Sequence, residues 1–127
     1  EMNPSLVGSE MCIRDSKVGV KRIGDMARRL GLGQAYNLPL TGLSRGFVPT
    51  KKWKKERFGT SWLVGDTLNV GIGQGFSLAT PLQLAVMTAR LASGKEVTPN
   101  IIKNSNKNPD NPKALSIKEN TLVAIRK

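Results

Sequence analysis

The sequence predicts a mainly helical chain, and three observations carry that expectation. An apolar stripe at spacings of three and four begins at Lys17, a capping box followed by proline opens a second helix at Pro81, and "SIKE" at Ser116–Glu119 repeats the start signal near the end.

In "KVGVKRIGDMARRLG", Val20, Ile23, Met26, Ala27 and Leu30 share one helical face. Arg22, Asp25, Arg28 and Arg29 take the wet side, and Gly31 is placed to end the helix. Gly19 and Gly24 each weaken it by about 1 kcal/mol relative to alanine, so packing of the stripe must hold it. "LGQAYNLPLTGLSRGFVPT" is rich in Gly, Pro, Asn and Ser and predicts a long irregular loop. Loops of that length serve a function or belong to a larger structure.

"TKKWKKERFG" follows, with Thr50 as the cap of a short helix. Trp53, Arg57 and Phe58 are expected inward and the lysines in water. The same residues admit a second reading, lysines on phosphates and aromatics on bases. No RNA-binding module signature accompanies it, and 5% aromatic residues leaves few stacking platforms.

"GIGQGFSLATPLQLAVMTARLASG" raises the question of a phosphate cradle. Gly71 and Gly73 fit the first two positions of a dinucleotide fingerprint, but Phe76 stands in place of the third glycine. The helix starts too late, and no Gly-Lys-Ser/Thr follows. Helix initiation is better satisfied: Thr80 is the N-cap, Pro81 the first helical residue, and Gln83 completes a capping box. "LQLAVMTARLA" is apolar around most of its circumference, with Gln83, Thr88 and Arg90 as exceptions, and Gly94 stops it. A helix of that kind is expected inside a larger protein, with the glycines letting backbone pass close to backbone. The alternative is a turn that lines a cleft.

The chain has 127 residues, enough for one domain, with 20 Lys and Arg against 9 Asp and Glu. The net charge of +11 favours an acidic partner, and a small nucleic-acid or polyanion binder is one reading it permits. There is no histidine, so imidazole metal sites and His-activated nucleophiles are excluded. The single Cys12 supports no disulfide within the chain. No run of eighteen apolar residues is present and no signal-peptide pattern opens the chain. The first sixteen residues, "EMNPSLVGSEMCIRDS", show no period, and their "SLVGSEMCIRDS" looks like translated adapter read-through. Residues 1–16 are expected to be non-native, and 17–127 to form the native part; the alternative is a disordered arm. Setting them aside leaves 19 basic against 6 acidic residues, a balance of +13.

"GDTLNVGIGQGFSLATPLQLAVMTARLASGK" resembles the transpeptidase domain of class B penicillin-binding proteins, nearest to those that serve cell elongation, with the septal type as sibling. "KVGVKRIGDMARRLGLGQAYNLPL", "GFVPTKKWKKERFG" and "SWLVGDT" resemble consecutive segments of that family in the same order. The resemblance covers residues 17 to about 102 and fades from Ser105, where "NSNKNPDNPKA" is a polar connector. It implies a partial transpeptidase domain in which helices flank an antiparallel five-stranded sheet, with "KEVTPNII" starting the return toward that sheet. It implies a D,D-transpeptidase that cross-links peptidoglycan stem peptides through an acyl-serine, binds β-lactams and works with the cell-elongation machinery. No cofactor, metal or specific nucleic acid is implied. The location implied is the periplasmic side of the bacterial inner membrane.

The family's chemistry rests on Ser-x-x-Lys, Ser-x-Asn or Ser-x-Asp, and Lys-Thr/Ser-Gly. None can be carried onto this sequence. No serine stands three residues before a lysine or two before an asparagine or aspartate, and neither Lys-Thr-Gly nor Lys-Ser-Gly occurs. No catalytic, cofactor-binding or metal-binding residue is therefore assigned. The resemblance implies that residues 17–127 lie between the second and third motifs, and a helix ending in mid-pattern at Lys127 fits a longer protein. By itself the chain is expected to be inactive and poorly soluble, because apolar faces at 17–31 and 81–93 would lack partners.

Overall fold

The structure is a computed structural model describing residues 4–101 and 112–127, with side chains described from Lys17 onward. The connector beginning at Ser105 falls largely outside the described residues. Among the described residues, five helices run in order: α1 (Pro4–Arg29), α2 (Lys51–Phe58), α3 (Val64–Gly71), α4 (Pro81–Ser93) and α5 (Glu119–Arg126). Among the described residues, β pairing is confined to two isolated antiparallel bridges, Phe47 with Leu78 and Lys95 with Ala114. The expected mainly helical class holds. Two compact units result, Glu1–Ala27 with Phe47–Leu78, and Arg28–Gly46 with Ala79–Lys127. No helix among the described residues is long and apolar enough to cross a membrane.

The first unit begins with α1, whose backbone is helical from Pro4, well before the pattern that starts at Lys17. Gly19 interrupts it with φ 77° and ψ 149°, a conformation open to glycine, so this residue breaks the helix rather than only weakening it. Beyond the break, Val20 is 3% exposed and Gly24 is buried, while Lys21, Arg22 and Asp25 face water. Met26, expected on the inner face, is exposed.

Helix α3 lies where the sequence pattern shows only a short apolar stretch before the glycines. Its start is held by Asp66, whose Oδ2 accepts the Leu63 amide at 2.7 Å, and its inner face buries Thr67 and Val70. Eight residues give too few turns for a clear periodicity, and two of them are glycines.

In the second unit, α4 begins and ends as the sequence predicts. Thr80 Oγ1 accepts the Gln83 amide and Gln83 Oε1 accepts the Thr80 amide, each at 3.2 Å. Gly94 closes the helix at φ 69°. Which side faces inward differs from the expectation. The buried side carries Gln83, Val86 and Arg90, two of the three polar exceptions, while Leu84 is 47% exposed. The reason is that these polar groups find backbone partners inside, as described below.

Helix α5 packs on α4 through Leu122, 2% exposed. Gly94 fits there because Leu122 Cδ1 lies only 3.2 Å from where its Cβ would be. The Arg126 guanidinium donates to the Leu91 carbonyl at 2.9 Å, satisfying an orphan acceptor at the end of α4. The second capping box is not made. Lys118 is the N-cap, with no side-chain bond, and Glu119 is the first helical residue instead of the third. The Lys95–Ala114 bridge, with Leu115 donating to the Gly94 carbonyl at 2.7 Å, holds the chain extended through 115 and delays the helix. The stretch from Lys95 makes that one bridge and no strand among the described residues.

Candidate functional site

Three places in the chain invite a functional reading: the Trp53 segment, the glycine turn and the buried polar groups of α4. In the first unit, Thr50 caps α2 by accepting the Trp53 amide at 3.2 Å, and Gly59 closes the helix at φ 68°. Trp53 then meets Phe47 at 4.6 Å, Phe76 at 5.1 Å and Phe58 at 5.6 Å between ring centroids. These tilted and edge-on contacts are the arrangements aromatic quadrupoles favour. Phe47, Trp53, Arg57, Phe58, Gly75, Phe76 and Leu78 together line an open groove of about 560 Å³.

Two expectations for α2 are corrected. Arg57 is exposed, and Phe58 touches Trp53 and Phe76 yet is 50% exposed. Lys54, expected in water with the other lysines, is 7% exposed. Its ammonium is ion-paired with Asp66 Oδ2, and it lies 6.0 Å from the Trp62 ring centroid. The hydrogen bond from Lys54, then that from the Leu63 amide, holds the Asp66 carboxyl below the ordinary carboxylate range. Asp66 thus fixes α2 and the start of α3 with one carboxylate. Nothing in the spacing of Lys54 and Asp66 signals this pair, because a twelve-residue separation matches no local pattern.

The glycine turn ends a helix. The Gln74 amide donates to the Asn69 carbonyl at 2.7 Å and the Gly73 amide to the Val70 carbonyl at 3.1 Å, with Gly73 at φ 74°. This is the paired closure of a helix C-terminus in which the glycine takes the left-handed position. The amides of a phosphate cradle would point outward from a helix N-terminus. Here they point into the negative end of α3, which disfavours an anion. Phe76, in place of the fingerprint's third glycine, joins the aromatic cluster. Gly73 thus closes α3.

In the second unit, Gln83 is fully buried. Its Nε2 donates to the carbonyls of Gln34 at 2.9 Å and Arg45 at 2.8 Å, pinning the irregular loop at these two points to the first turn of α4. Arg90, 7% exposed, donates through Nε to the Val97 carbonyl at 3.1 Å and through Nη1 to the Arg29 carbonyl at 2.7 Å. A cation at the last carbonyls of α1 also suits the helix dipole. Gln34 Nε2 donates to the Arg28 carbonyl at 2.7 Å, and the Tyr36 hydroxyl to the Gly31 carbonyl at 2.8 Å. Burial raises the Tyr36 pKa, and the Arg90 charge opposes that rise. The capping motif places Gln83 at the helix start, but its reach into the loop is a long-range fact that no local pattern carries.

The described chemistry is positional. The Ser44 hydroxyl accepts the Gly46 amide, and the Ser93 hydroxyl donates to the Ala89 carbonyl. Lys54 is committed to Asp66, Lys21 pairs with Asp25, and Lys52 with Glu56. Three lysines are thus engaged in ion pairs within the first unit.

Comparison with known proteins agrees with this architecture. A model of the penicillin-binding protein transpeptidase domain matches residues 7–127. Peptidoglycan D,D-transpeptidase MrdA of Haemophilus influenzae is 37% identical over 87 residues, 68% of this chain and 13% of the relative. Penicillin-binding protein PBP2 from Helicobacter pylori superposes with a TM-score of 0.80 at 33% identity, covering 94% of this chain and 22% of that one. A complex of PBP2 and MreC from the same organism contains a similar chain, with a TM-score of 0.79 at 33% identity over 93% of this chain and 22% of that one. The chain therefore spans 13% of the length of that curated relative.

Proposed function

The chain belongs to the penicillin-binding protein transpeptidase domain family, and from that membership we propose that it serves as part of a peptidoglycan D,D-transpeptidase of the elongation type. The observation that carries this reading is the match of the family model to residues 7–127. The relatives named MrdA and PBP2 support the elongation branch.

In the proposed reaction a serine hydroxyl of the longer protein attacks the carbonyl between the two terminal D-alanines of a stem peptide. The terminal D-alanine leaves with a proton, and an amine of a neighbouring stem then displaces the serine, forming the cross-link. A nearby lysine takes the serine proton in this scheme. In this reading residues 17–127 lie between the second and third motifs. The described residues contribute scaffold, in that α4 and its buried Gln83 and Arg90 hold the loop and the end of α1 in place. We further propose β-lactams as covalent ligands, the periplasmic face of the inner membrane as location, and the elongation machinery as partner. The last draws on the solved complex of PBP2 with MreC.

The test uses the longer protein that carries residues 17–127, with a stem peptide ending in D-alanyl-D-alanine and a second stem as acceptor. D-alanine release together with a cross-linked product is expected. Cross-linking absent in a folded protein would refute the proposal.

A further inference from the structure

We propose that the Lys54–Asp66 pair makes the first unit a latch that acid opens, releasing α2 from α3 while the second unit stays folded. Two elements meet on one oxygen: Asp66 Oδ2 accepts from the Lys54 ammonium and from the Leu63 amide, the latter at 2.7 Å. Lys54 is 7% exposed, so a neutral Asp66 leaves a buried ammonium without its counter-charge. The Trp62 ring centroid, 6.0 Å from the Lys54 nitrogen, is at the limit of cation–π range and replaces little of it. The pair is internal to the unit, so its role does not depend on what covers the outside.

Among the described residues, Lys54 is the charged group that faces Asp66 from α2, and α3 carries no other charge. The Lys54 hydrogen bond first, and the Leu63 amide second, hold the carboxyl below its ordinary range. A depressed folded value means that the contribution is present above the unfolded value, about 3.9, and is lost as pH falls through the folded one. Asp25 and Glu56 also titrate in this unit, but their pairs with Lys21 and Lys52 are exposed and span one helical turn. Exposed pairs of that kind contribute little, and protonating them strands no buried charge.

The second unit is tied by donors of a different kind. Gln83 donates to the Gln34 and Arg45 carbonyls, Arg90 to those of Arg29 and Val97, and Arg126 to that of Leu91. A carboxamide has no charge to lose, and a guanidinium keeps its own at any acid pH. Among the described residues the side-chain carboxylates of this unit, Glu96 and Glu119, are exposed. Self-repulsion in acid does not single out the first unit either. Of the 20 Lys and Arg, 9 fall in its sequence and 11 in that of the second.

Trp53 and Trp62, the chain's 2 tryptophans, both lie in the first unit, and the Trp62 indole donates to the Thr67 hydroxyl at 2.9 Å. Opening of α3 is therefore read in tryptophan emission and in the Trp62 indole NMR signal. The test follows both in the 127-residue chain from about pH 7 to about pH 2, with the Gln83 side-chain amide and Arg90 Nε signals reporting the second unit. Below about pH 4 the emission should move to the red and the indole signal to its unfolded position, while the Gln83 and Arg90 signals stay in place. Asp25→Asn with Glu56→Gln should leave the midpoint within about half a pH unit. Lys54→Met with Asp66→Asn removes both charges, keeps an acceptor for the Leu63 amide, and should abolish the transition. Joint loss of both sets of signals, a midpoint set by the exposed pairs, a transition that survives without the pair, or none in the parent would each overturn the proposal.

Discussion

Gln83 and Arg45 lie 38 residues apart, yet the Gln83 amide nitrogen sits 2.8 Å from the Arg45 carbonyl oxygen. With the bond to the Gln34 carbonyl, this one side chain turns an irregular loop into a fixed part of the second unit. Gln83→Ala leaves two carbonyls and the Thr80 amide without this partner, and should cost about 3 kcal/mol in urea unfolding. Gln83→Glu keeps the shape but presents acceptors to acceptors, and should be at least as damaging. A glutamate variant as stable as the parent would show that the amide does not hold the loop.

Gly31 and Tyr36 form a similarly tight pair. Gly31 sits at φ 101°, and a Cβ there would fall 2.5 Å from the Tyr36 hydroxyl and 3.1 Å from Val86 Cγ1. Gly31→Ala should therefore destabilise by about 3 kcal/mol, through backbone strain and overpacking together. In a Tyr36→Phe background the hydroxyl is gone, and the added cost of the alanine should fall by about 1 kcal/mol in a double-mutant cycle. Strict additivity would contradict this geometry.

The two glycines of α3 and its closure should respond in opposite directions. Gly73 at φ 74° fills the left-handed position, so Gly73→Ala should cost about 1 kcal/mol. Gly65 is helical, and a Cβ there meets nothing within 4 Å, so Gly65→Ala should stabilise by about 0.5 kcal/mol. Thermal unfolding of the two variants measures both signs.

Asp66 gives the first unit an acid sensitivity. Its folded pKa is depressed, by the Lys54 hydrogen bond first and the Leu63 amide second. The stability it contributes is present above the unfolded carboxylate value, about 3.9, and is lost as pH falls through the lower folded value. Asp66→Asn should cost about 3 kcal/mol at pH 7, because Lys54 is left buried and unpaired. The gap between parent and variant should narrow below about pH 4. A gap independent of pH would show that the pair carries none of the stability.

Much of this was legible in the residues. Thr80, Pro81, Gln83 and Gly94 mark α4 completely, because caps and terminators act within one turn. Thr50 marks α2 by the same local logic. What escaped the sequence reading is long-range. Lys54, Gln83 and Arg90 each reach a partner 12, 38 and 61 residues away, and no short window holds both ends of those contacts. The start at Ser116 failed because the bridge to Lys95, a tertiary contact, overrides a local capping preference. The failure of the phosphate cradle was visible in spacing alone, while the role of Gly73 as the closure of α3 needed a helix that eight residues do not announce.

We propose that these residues are scaffold for a serine transpeptidase whose nucleophile lies outside residues 17–127. Fluorescent penicillin, followed by denaturing electrophoresis and mass mapping, tests it most directly on the longer protein and on the 127-residue chain side by side. A covalent label is expected on the longer protein, at a serine outside 17–127, and none on the short chain. A denaturation-stable label on the short chain, or on Ser44, Ser61, Ser77, Ser93, Ser105 or Ser116 of either protein, would contradict it.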